Sequence, residues 1–199
     1  MTSHSAAAPS APYPCPRLIA WVQRAMACAA LATLPAMPAA AQDGPAWTLE
    51  TDPLAFALKG YSLHVARESG SYRLSAGVFA ADVPEWVHGN EGFESSVRGV
   101  GLKLHYYLSP SRSGAFVGTE LSSVRTRIER TDLSQAVSRD SLNVGVEAGY
   151  RHELGRGFYV TPWVAVSYDL DAADVPVGDR VFKWRAAGGF AAIHLGYRF

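Results

Sequence analysis

The segment 84–97 holds the residue types of a hydrolytic site. Its sequence, PEWVHGNEGFESSV, places His88 among three glutamates and ahead of Ser95 and Ser96. A serine that gives its proton to a histidine, itself oriented by a carboxylate, is the nucleophile of many acyl-transfer enzymes. Loops are commonly rich in the same residue types because they face water. The acids also lack the spacing of a dedicated cation site. We therefore predict no catalytic residue, no metal and no cofactor.

A second set of charged residues recurs at every second position among small residues. Between Arg98 and Leu108, Lys103 and His105 alternate with Val, Leu and Tyr and share their face with two glycines. Charges that face a water-poor interior should pair with opposite charges, because an unpaired buried charge is costly. This face predicts a structural polar core, and a narrow conduction path or buried binding site is the alternative. The residues assigned to the core are Arg73, Lys103, Glu120, Glu147, Arg151 and Arg198. The same face also holds His64, Glu68, His105, Asp169 and His194.

Strands must position these residues, because period-two alternation continues through the chain and no helical spacing persists. The pattern predicts strands near 72–83, 98–109, 115–129, 141–153, 158–170 and 187–199. The segment 48–68 would give one more strand, and an even number requires two. We therefore divide it at Lys59-Gly60 into strands near 48–58 and 61–68, with Pro53 near a strand start or at a bulge. The prediction is an all-β, closed, antiparallel, eight-stranded, up-and-down transmembrane barrel.

Two features favour a membrane barrel over a soluble sandwich, which also alternates. The polar face is rich in Gly, Ala and Ser, as a narrow lumen requires. Aromatic residues gather near short turns and at the C-terminus, as expected at a water–lipid boundary. The predicted ring near the short turns is Tyr72, Tyr106, Tyr107, Phe116, Tyr150, Phe158, Tyr159, Tyr197 and Phe199. A sparser set near the long connections is Phe79, Trp86, Phe93, Tyr168, Phe182 and Trp184.

The first 41 residues differ from the rest of the chain. They contain no acidic residue, and Arg17 and Arg24 precede the short apolar run Ala25–Met37. This order is typical of a signal peptide, and the small residues Ala39 and Ala41 place its cleavage after Ala41. We predict a cleaved signal peptide over 1–41 and a barrel domain over 42–199. The whole chain has 18 basic and 18 acidic residues, and this balance argues against nucleic-acid binding.

Three features together resemble the small eight-stranded outer-membrane barrels of the OmpX, OmpW and OmpA-transmembrane type. They are the segment 1–41, the alternating strands over 48–199 and the terminal GYRF. The resemblance implies a monomer in the bacterial outer membrane with a structural or surface-interaction role and no catalysis. It further implies contact with outer-membrane lipids and lipopolysaccharide. Tyr197 and Phe199 match the signal that the barrel-assembly machinery reads in this group.

Other functions remain open at this stage. One is a narrow channel or a conduit for small apolar ligands of the OmpW kind. Another is a lipid A-modifying enzyme, although the His-x-Ser spacing of the deacylases does not occur in the sequence. A third is a soluble periplasmic β-sandwich or lipocalin-like binder.

Cations gather where the longer connections are expected. They are Arg125, Arg127, Arg130, Arg139, Arg180, Lys183 and Arg185. Guanidinium groups match phosphate oxygens, so these residues could bind lipopolysaccharide. Alternatively, they pair with Asp132, Asp140, Asp171, Asp174 and Asp179. Alternation also slips near Ser122–Ser123, which indicates a bulge or a strand that rises above the lipid.

Overall fold

The computed structural model describes residues 45–109 and 111–199, so the predicted signal peptide lies outside the described residues. Ten strands and two short helices follow one another within these described residues. The strands are β1 Ala46–Thr51, β2 Tyr61–Ser69, β3 Tyr72–Val83, β4 Phe93–Tyr107, β5 Gly114–Arg130, β6 Ala136–Gly155, β7 Phe158–Asp169, β8 Val175–Val177, β9 Arg180–Phe182 and β10 Ala187–Arg198. The helices are α1 Pro53–Ala57 and α2 Glu85–His88. Neither described helix has the length and apolar character to cross a membrane.

Eight of the strands close into a ring in the order β1-β10-β7-β6-β5-β4-β3-β2. Every neighbouring pair is antiparallel, and the last strand pairs with the first, with Thr48 opposite Arg198 and Leu49 opposite Tyr197. The backbone N–H of Phe199 donates to the carbonyl oxygen of Trp47 at 2.9 Å. A ring closed in this way has no exposed strand edge. The predicted eight-stranded, closed, antiparallel barrel is therefore confirmed.

The predicted first strand, 48–58, is too long. β1 ends at Thr51 and α1 follows it, because the Asp52 side chain accepts a hydrogen bond from the Leu54 N–H at 2.9 Å. Pro53 stands at the first helical position, where its missing N–H leaves no bond unmade. Pro53 thus starts a helix and not a strand or a bulge. The division at Lys59-Gly60 is confirmed, since β2 begins at Tyr61.

Gly60 permits this turn to approach the neighbouring strand. A Cβ at Gly60 would lie 1.8 Å from the carbonyl oxygen of Ala80, which no side chain could tolerate. Lys59 precedes it with φ of 55°, a left-handed conformation that is uncommon outside glycine. The connection between β1 and β2 therefore depends on a glycine at residue 60.

Glycines inside the barrel make room for large side chains on neighbouring strands. A Cβ at Gly196 would lie 2.2 Å from the ring of Tyr159, and one at Gly77 would lie 2.0 Å from the ring of His64. Both rings are buried. Each small residue of the polar face thus leaves space for a bulky side chain on the neighbouring strand, and the two kinds of residue together fill the narrow interior.

The outward face of the barrel is apolar and accessible. One large aliphatic side chain from each barrel strand illustrates this, with between 39 and 61% of its surface exposed. These residues are Leu49, Leu63, Leu74, Leu104, Val117, Val146, Val164 and Leu195. A protein surrounded by water rarely exposes so continuous an apolar surface.

The predicted aromatic ring near the short turns is partly wrong. Tyr107, Phe116 and Tyr159 are at most 2% exposed and lie inside the barrel. Their positions fall on the inward face of β4, β5 and β7, and this alternation outweighs their closeness to a turn. The other six members face outward, with Tyr197 half-buried against its aromatic neighbours: Tyr72, Tyr106, Tyr150, Phe158, Tyr197 and Phe199.

Three strands, β4, β5 and β6, extend beyond the others at the end with the longer connections, here called the outer end. The register between β5 and its neighbours stays continuous past Ser122, so there is no bulge at this point. Val124 and Ile128 remain on the inward face and are buried there, while Arg125 and Arg127 face outward. Beyond Ser122 the inward face of β5 therefore carries apolar side chains and the outward face carries charged ones, as expected of a strand that rises above the lipid.

A small apolar core lies under the hairpin of β8 and β9, here called the cap hairpin. It consists of Phe93, Ile128, Val175, Val177 and Phe182, with Trp184 packed against it. Phe93 and Phe182 were predicted in the second aromatic set at the lipid boundary, and this is wrong. They are buried because the cap hairpin folds over the extension of β4 and β5.

Closure of the ring predicts resistance to SDS. The folded chain should migrate differently on a gel before and after boiling, because a ring without edges unfolds as a unit. Truncation after Ala192 removes residues 195–198, all four of which pair with β1, and should abolish the shift. An unchanged shift in the truncated chain would contradict the role of the β1–β10 pairing.

Candidate functional site

Four charged residues form the inner cluster near the barrel end at which β1 begins and β10 ends. They are Glu50 on β1, Glu68 on β2, Arg73 on β3 and Arg151 on β6, and each is at most 3% exposed. Arg73 Nη2 lies 2.5 Å from Glu50 Oε2, and Arg151 Nη1 lies 2.5 Å from Glu68 Oε1. Weaker contacts join Arg151 to Glu50 at 3.4 Å and Arg73 to Glu68 at 3.6 Å. Each carboxylate of the cluster therefore contacts both of its arginines.

The inner cluster crosses the barrel axis. β2 and β6 are four places apart in the ring of eight and hence lie on opposite walls. Contact between Glu68 and Arg151 at 2.5 Å therefore spans the lumen. The Arg151 guanidinium also lies 3.9 Å from the ring centre of Tyr159 and 4.9 Å from that of Tyr107. Aromatic faces attract a cation and exclude water from its surroundings.

A second set, the central cluster, lies farther into the barrel. It consists of Lys103 and His105 on β4, Glu120 on β5 and Glu147 on β6. Lys103 Nζ lies 2.8 Å from Glu147 and 3.2 Å from Glu120, and 3.5 Å from the ring centre of Trp163. Trp163 belongs to β7, three places from β4 in the ring. The Lys103 side chain thus reaches most of the way across the lumen.

His105 connects the two clusters. Its Nε2 lies 2.5 Å from Glu147 Oε1, and its Nδ1 lies 3.4 Å from Arg73 Nη1. A neutral imidazole satisfies both contacts when Nε2 carries the hydrogen and donates to Glu147, since Nδ1 then accepts from Arg73. The ring also stacks on Phe116 with centroids 4.5 Å apart.

The interior charges balance. Glu50, Glu68, Glu120 and Glu147 face the cations of Arg73, Lys103, Arg151 and Arg198. A buried ion pair remains stable only when its geometry and additional hydrogen bonds repay desolvation. The network of shared carboxylates meets this requirement. It fills the lumen with paired charges, and the inner cluster together with Arg198 ties five strands, β1, β2, β3, β6 and β10, to one another.

The structure brings together the six residues assigned from the sequence to the polar core. Arg73, Lys103, Glu147 and Arg151 are buried in the two clusters. Glu120, the fourth member of the central cluster, is partly buried. Arg198 is partly exposed and contacts Glu68 at 3.4 Å and Glu153 at 2.5 Å. Glu50 was missed by the sequence analysis, although it completes the inner cluster. Its alternation with the inward Thr48 could have revealed it, but the erroneous strand over 48–58 obscured the pattern.

The residues of the segment 84–97 do not assemble into a catalytic set. The Nδ1 of His88 accepts a hydrogen bond from the backbone N–H of Asn90 at 3.0 Å, and its ring packs on Phe182 at 5.2 Å. Ser95 and Ser96 lie on opposite faces of β4. Within the described chain, His88 makes no hydrogen bond to a serine hydroxyl or a carboxylate. Residues 45–109 and 111–199 also contain no group of three metal-ligating side chains.

Arg130 fastens the cap hairpin to β5. It contacts Asp132 at 2.7 Å and also pairs with Asp179 in the turn of the hairpin. Its hydrogen bonds lower the pKa of both aspartates, because they favour the charged carboxylate. The sequence left two roles open for Arg130, which were binding of lipopolysaccharide and pairing with an aspartate of the chain. The structure shows the second.

Several other outer cations also have partners in the chain. Arg180 donates to the carbonyl oxygen of Glu91 at 2.8 Å, and Arg127 pairs with Glu129 at 2.8 Å. Asp171 contributes only its backbone carbonyl, which accepts from Arg139. The remaining pairs are Arg125–Asp140 at 2.6 Å, Arg139–Asp169 at 2.6 Å and Lys183–Asp174 at 2.7 Å.

Comparisons with known proteins support the fold. No family model and no curated protein matches the sequence. Among solved structures, the chain is similar to a major outer membrane protein of Thermus thermophilus, with 12% identity, 78% of this chain and 100% of that chain covered, and a TM-score of 0.55. Two others are Neisserial surface protein A (12% identity, 77% and 91% covered, TM-score 0.49) and the N-terminal β-barrel domain of Pseudomonas aeruginosa OprF (9% identity, 79% and 98% covered, TM-score 0.48).

The likeness to the Thermus structure reaches a TM-score of 0.55. At 12% identity this likeness shows a shared fold and no shared role. The resemblance to small outer-membrane barrels that the sequence indicated is thus confirmed at the level of the fold.

The inner cluster predicts a large penalty for neutralising one carboxylate. Glu68→Gln leaves Arg73 and Arg151 buried with one carboxylate between them and should lower the free energy of unfolding by about 3–5 kcal/mol. Urea unfolding in detergent micelles, followed by tryptophan fluorescence, measures the loss. The exposed pair of Arg127 and Glu129 provides the control, and Glu129→Gln should change stability by less than about 1 kcal/mol. Equal effects of the two variants would contradict a stabilising inner cluster.

Proposed function

We propose that the protein is a monomeric integral protein of the bacterial outer membrane with a structural or surface-interaction role and without catalysis. The observation that carries this proposal is the distribution of polarity around the barrel. The buried ion pairs lie inside, whereas accessible aliphatic side chains lie outside on all eight barrel strands. A lipid bilayer is the solvent that suits such a surface, and a closed barrel is one of the few structures that satisfies its own backbone in lipid.

Energetics favour lipid around the barrel. Complete transfer of one Val or Leu side chain out of water contributes about 1.5–3 kcal/mol. Leu104 and Val146, at 47 and 61% exposed, would each gain a part of that value in hydrocarbon. The same gain recurs on each strand of the ring. A soluble sandwich would instead bury these side chains between two sheets, and a single closed ring offers no second sheet.

The sealed lumen supports a structural role over a channel. An eight-stranded barrel is only wide enough for its own side chains. The contact between Glu68 and Arg151 at 2.5 Å spans that space. Farther toward the outer end, the Lys103 side chain reaches most of the way across the lumen to the ring of Trp163. An ion that passed through would have to separate these pairs.

Contact with lipopolysaccharide would use the outward cations above the apolar band. Arg98 on β4 stands directly opposite Arg125 on β5, and Arg127 lies two residues farther out. Asp140 on β6 already pairs with Arg125, so Arg98 is the cation of this row that remains for an outside anion. Arg98 forms no ion pair among the described residues. Lipid phosphates would reach this height, and the Arg98 guanidinium can bind them through charged hydrogen bonds.

The C-terminal residues support a role in assembly. Tyr197 contacts both Phe158 and Phe199 through its ring, at 4.8 and 5.0 Å between centroids. Phe199 is 40% exposed at the barrel end at which β1 begins and β10 ends. The aromatic side chain is thus accessible to the assembly machinery, which we propose reads Tyr197 and Phe199.

The sealed lumen predicts a lack of conductance. In planar bilayers the wild-type chain should produce no discrete, reproducible steps. Replacing Glu68, Arg151, Lys103 and Glu147 together by alanine removes both contacts that cross the lumen without changing the net charge, and should produce steps. Arg127→Ala at the exterior should behave as the wild type does. Regular steps from the wild type would overturn the structural role in favour of a narrow channel.

Deleting Phe199 tests the assembly signal. The loss should reduce the amount of barrel in the outer-membrane fraction at least severalfold, since the recognised aromatic is absent while β10 retains Tyr197 and its partners on β1. Substitution of Phe199 by Tyr preserves an aromatic end and should restore normal levels. Normal outer-membrane levels of the shortened chain would contradict the role assigned to Phe199.

A further inference from the structure

A cavity of about 370 Å³ lies at the outer end of the barrel, between the upper lumen and the cap hairpin. We call it the vestibule. Its volume lies within the range of small-molecule sites, about 300–1,000 Å³. Its lining includes His88, Val97, Val124, Lys183, Trp184, Arg185 and Gly188.

Below the vestibule, the lumen exposes apolar surface. Phe190 lies opposite the buried Ala165 and contacts the buried Trp163 edge-on at 5.0 Å between ring centres, so it faces inward. It is nevertheless 45% exposed. An inward aromatic ring can be accessible only if open space lies above it. Gly188, two residues farther out on β10, has no atom within 4 Å of a Cβ placed on it, which agrees with that space.

The vestibule is closed at its inner side. Lys103 lies against Trp163 and is paired with Glu147 and Glu120 directly below. A molecule that enters from outside therefore meets a floor of aromatic rings and paired charges. This arrangement is that of a cup and not of a conduit.

The polar groups of the vestibule favour an anion. Its lining contains Lys183 and Arg185 and no carboxylate. Lys183 is engaged by Asp174 at 2.7 Å, whereas Arg185 has no ion pair within the described chain. A cation without an internal partner at the mouth of an apolar cavity is the complement of an amphipathic anion.

Two N–H donors on lining residues also lack an acceptor. Because Nδ1 of His88 accepts from Asn90, a neutral His88 carries its hydrogen on Nε2. That Nε2 and the indole Nε1 of Trp184 are buried without a hydrogen-bond partner among the described residues. Both nitrogens are inaccessible, so they lie behind the surface of the cavity, and Arg185 is the donor that a molecule inside it can reach.

We propose that the vestibule binds a small amphipathic carboxylate from the outer side. Its apolar body would pack against Val97, Val124 and Phe190, and its carboxylate would accept from Arg185. The apolar walls supply affinity and the charged guanidinium fixes the orientation, which is the usual division in small-molecule sites. This inference goes beyond the proposed envelope role, and its failure would leave the sealed lumen and the lipid-facing surface untouched.

Indole NMR of the full barrel in lipid nanodiscs tests the proposal, with 4-phenylbutyrate as the probe. The Trp184 indole signal, assigned with Trp184→Phe, should shift and saturate as the probe is added. The uncharged 4-phenyl-1-butanol has nearly the same shape and should bind at least tenfold more weakly. Arg185→Gln should weaken the carboxylate at least tenfold and leave the alcohol unchanged.

Two further variants separate binding from general effects. Gly188→Phe fills open space in the vestibule and should abolish the saturable shift for both probes, while its gel shift on boiling reports an intact barrel. Arg127→Gln changes an exterior cation and should leave both affinities unchanged. A shift that never saturates, equal affinities for the two probes, or unaltered binding in Arg185→Gln or Gly188→Phe would each overturn the proposal.

Discussion

Every other feature of this molecule depends on the antiparallel pairing of its last strand with its first. Thr48–Thr51 meet Leu195–Arg198, and the Phe199 N–H extends the ladder to Trp47. Without that pairing the N–H and C=O groups of two strands would remain unpaired at an edge, a state that hydrocarbon does not permit. Once the ring is closed, each residue of a barrel strand faces either the lumen or the exterior, and position along the strand alone decides which.

Closure also explains the charges. A ring of eight strands has room inside only for side chains, so the inward positions combine glycine with bulky partners, as at Gly196 and Tyr159. Charges placed there lose water and must find one another. Glu68 and Arg151 do so across the lumen. The stability of the interior and the sealing of the lumen thus have one cause. Toward the outer end, side chains no longer fill the lumen, and open space begins above the exposed ring of Phe190.

Alternation in the sequence predicted most of the fold, because successive side chains of a strand point to opposite faces and each residue type must suit the face that it occupies. It placed the six core residues on the inward face and identified the point where β5 leaves the apolar band. Its failures have physical reasons. Asp52 and Pro53 start a helix through a local cap that alternation does not register. Tyr107 was assigned by closeness to a turn although its position on β4 pointed inward. The fold of the cap hairpin over Phe93 depends on contacts between distant segments, which no local pattern reveals.

If lipid surrounds the aliphatic half of each barrel strand, spin labels on that strand will report it. Chains beginning at Gln42 contain no cysteine, so single cysteines at positions 164–167 of β7 can be labelled in liposomes. Frequent collisions with dissolved oxygen are expected at positions 164 and 166, where Val164 and Val166 are 57 and 59% exposed, and few at 165 and 167. Accessibility to a water-soluble nickel complex should be low at 164 and 166. High nickel accessibility at those positions, or no alternation in oxygen collisions, would contradict a barrel surrounded by lipid.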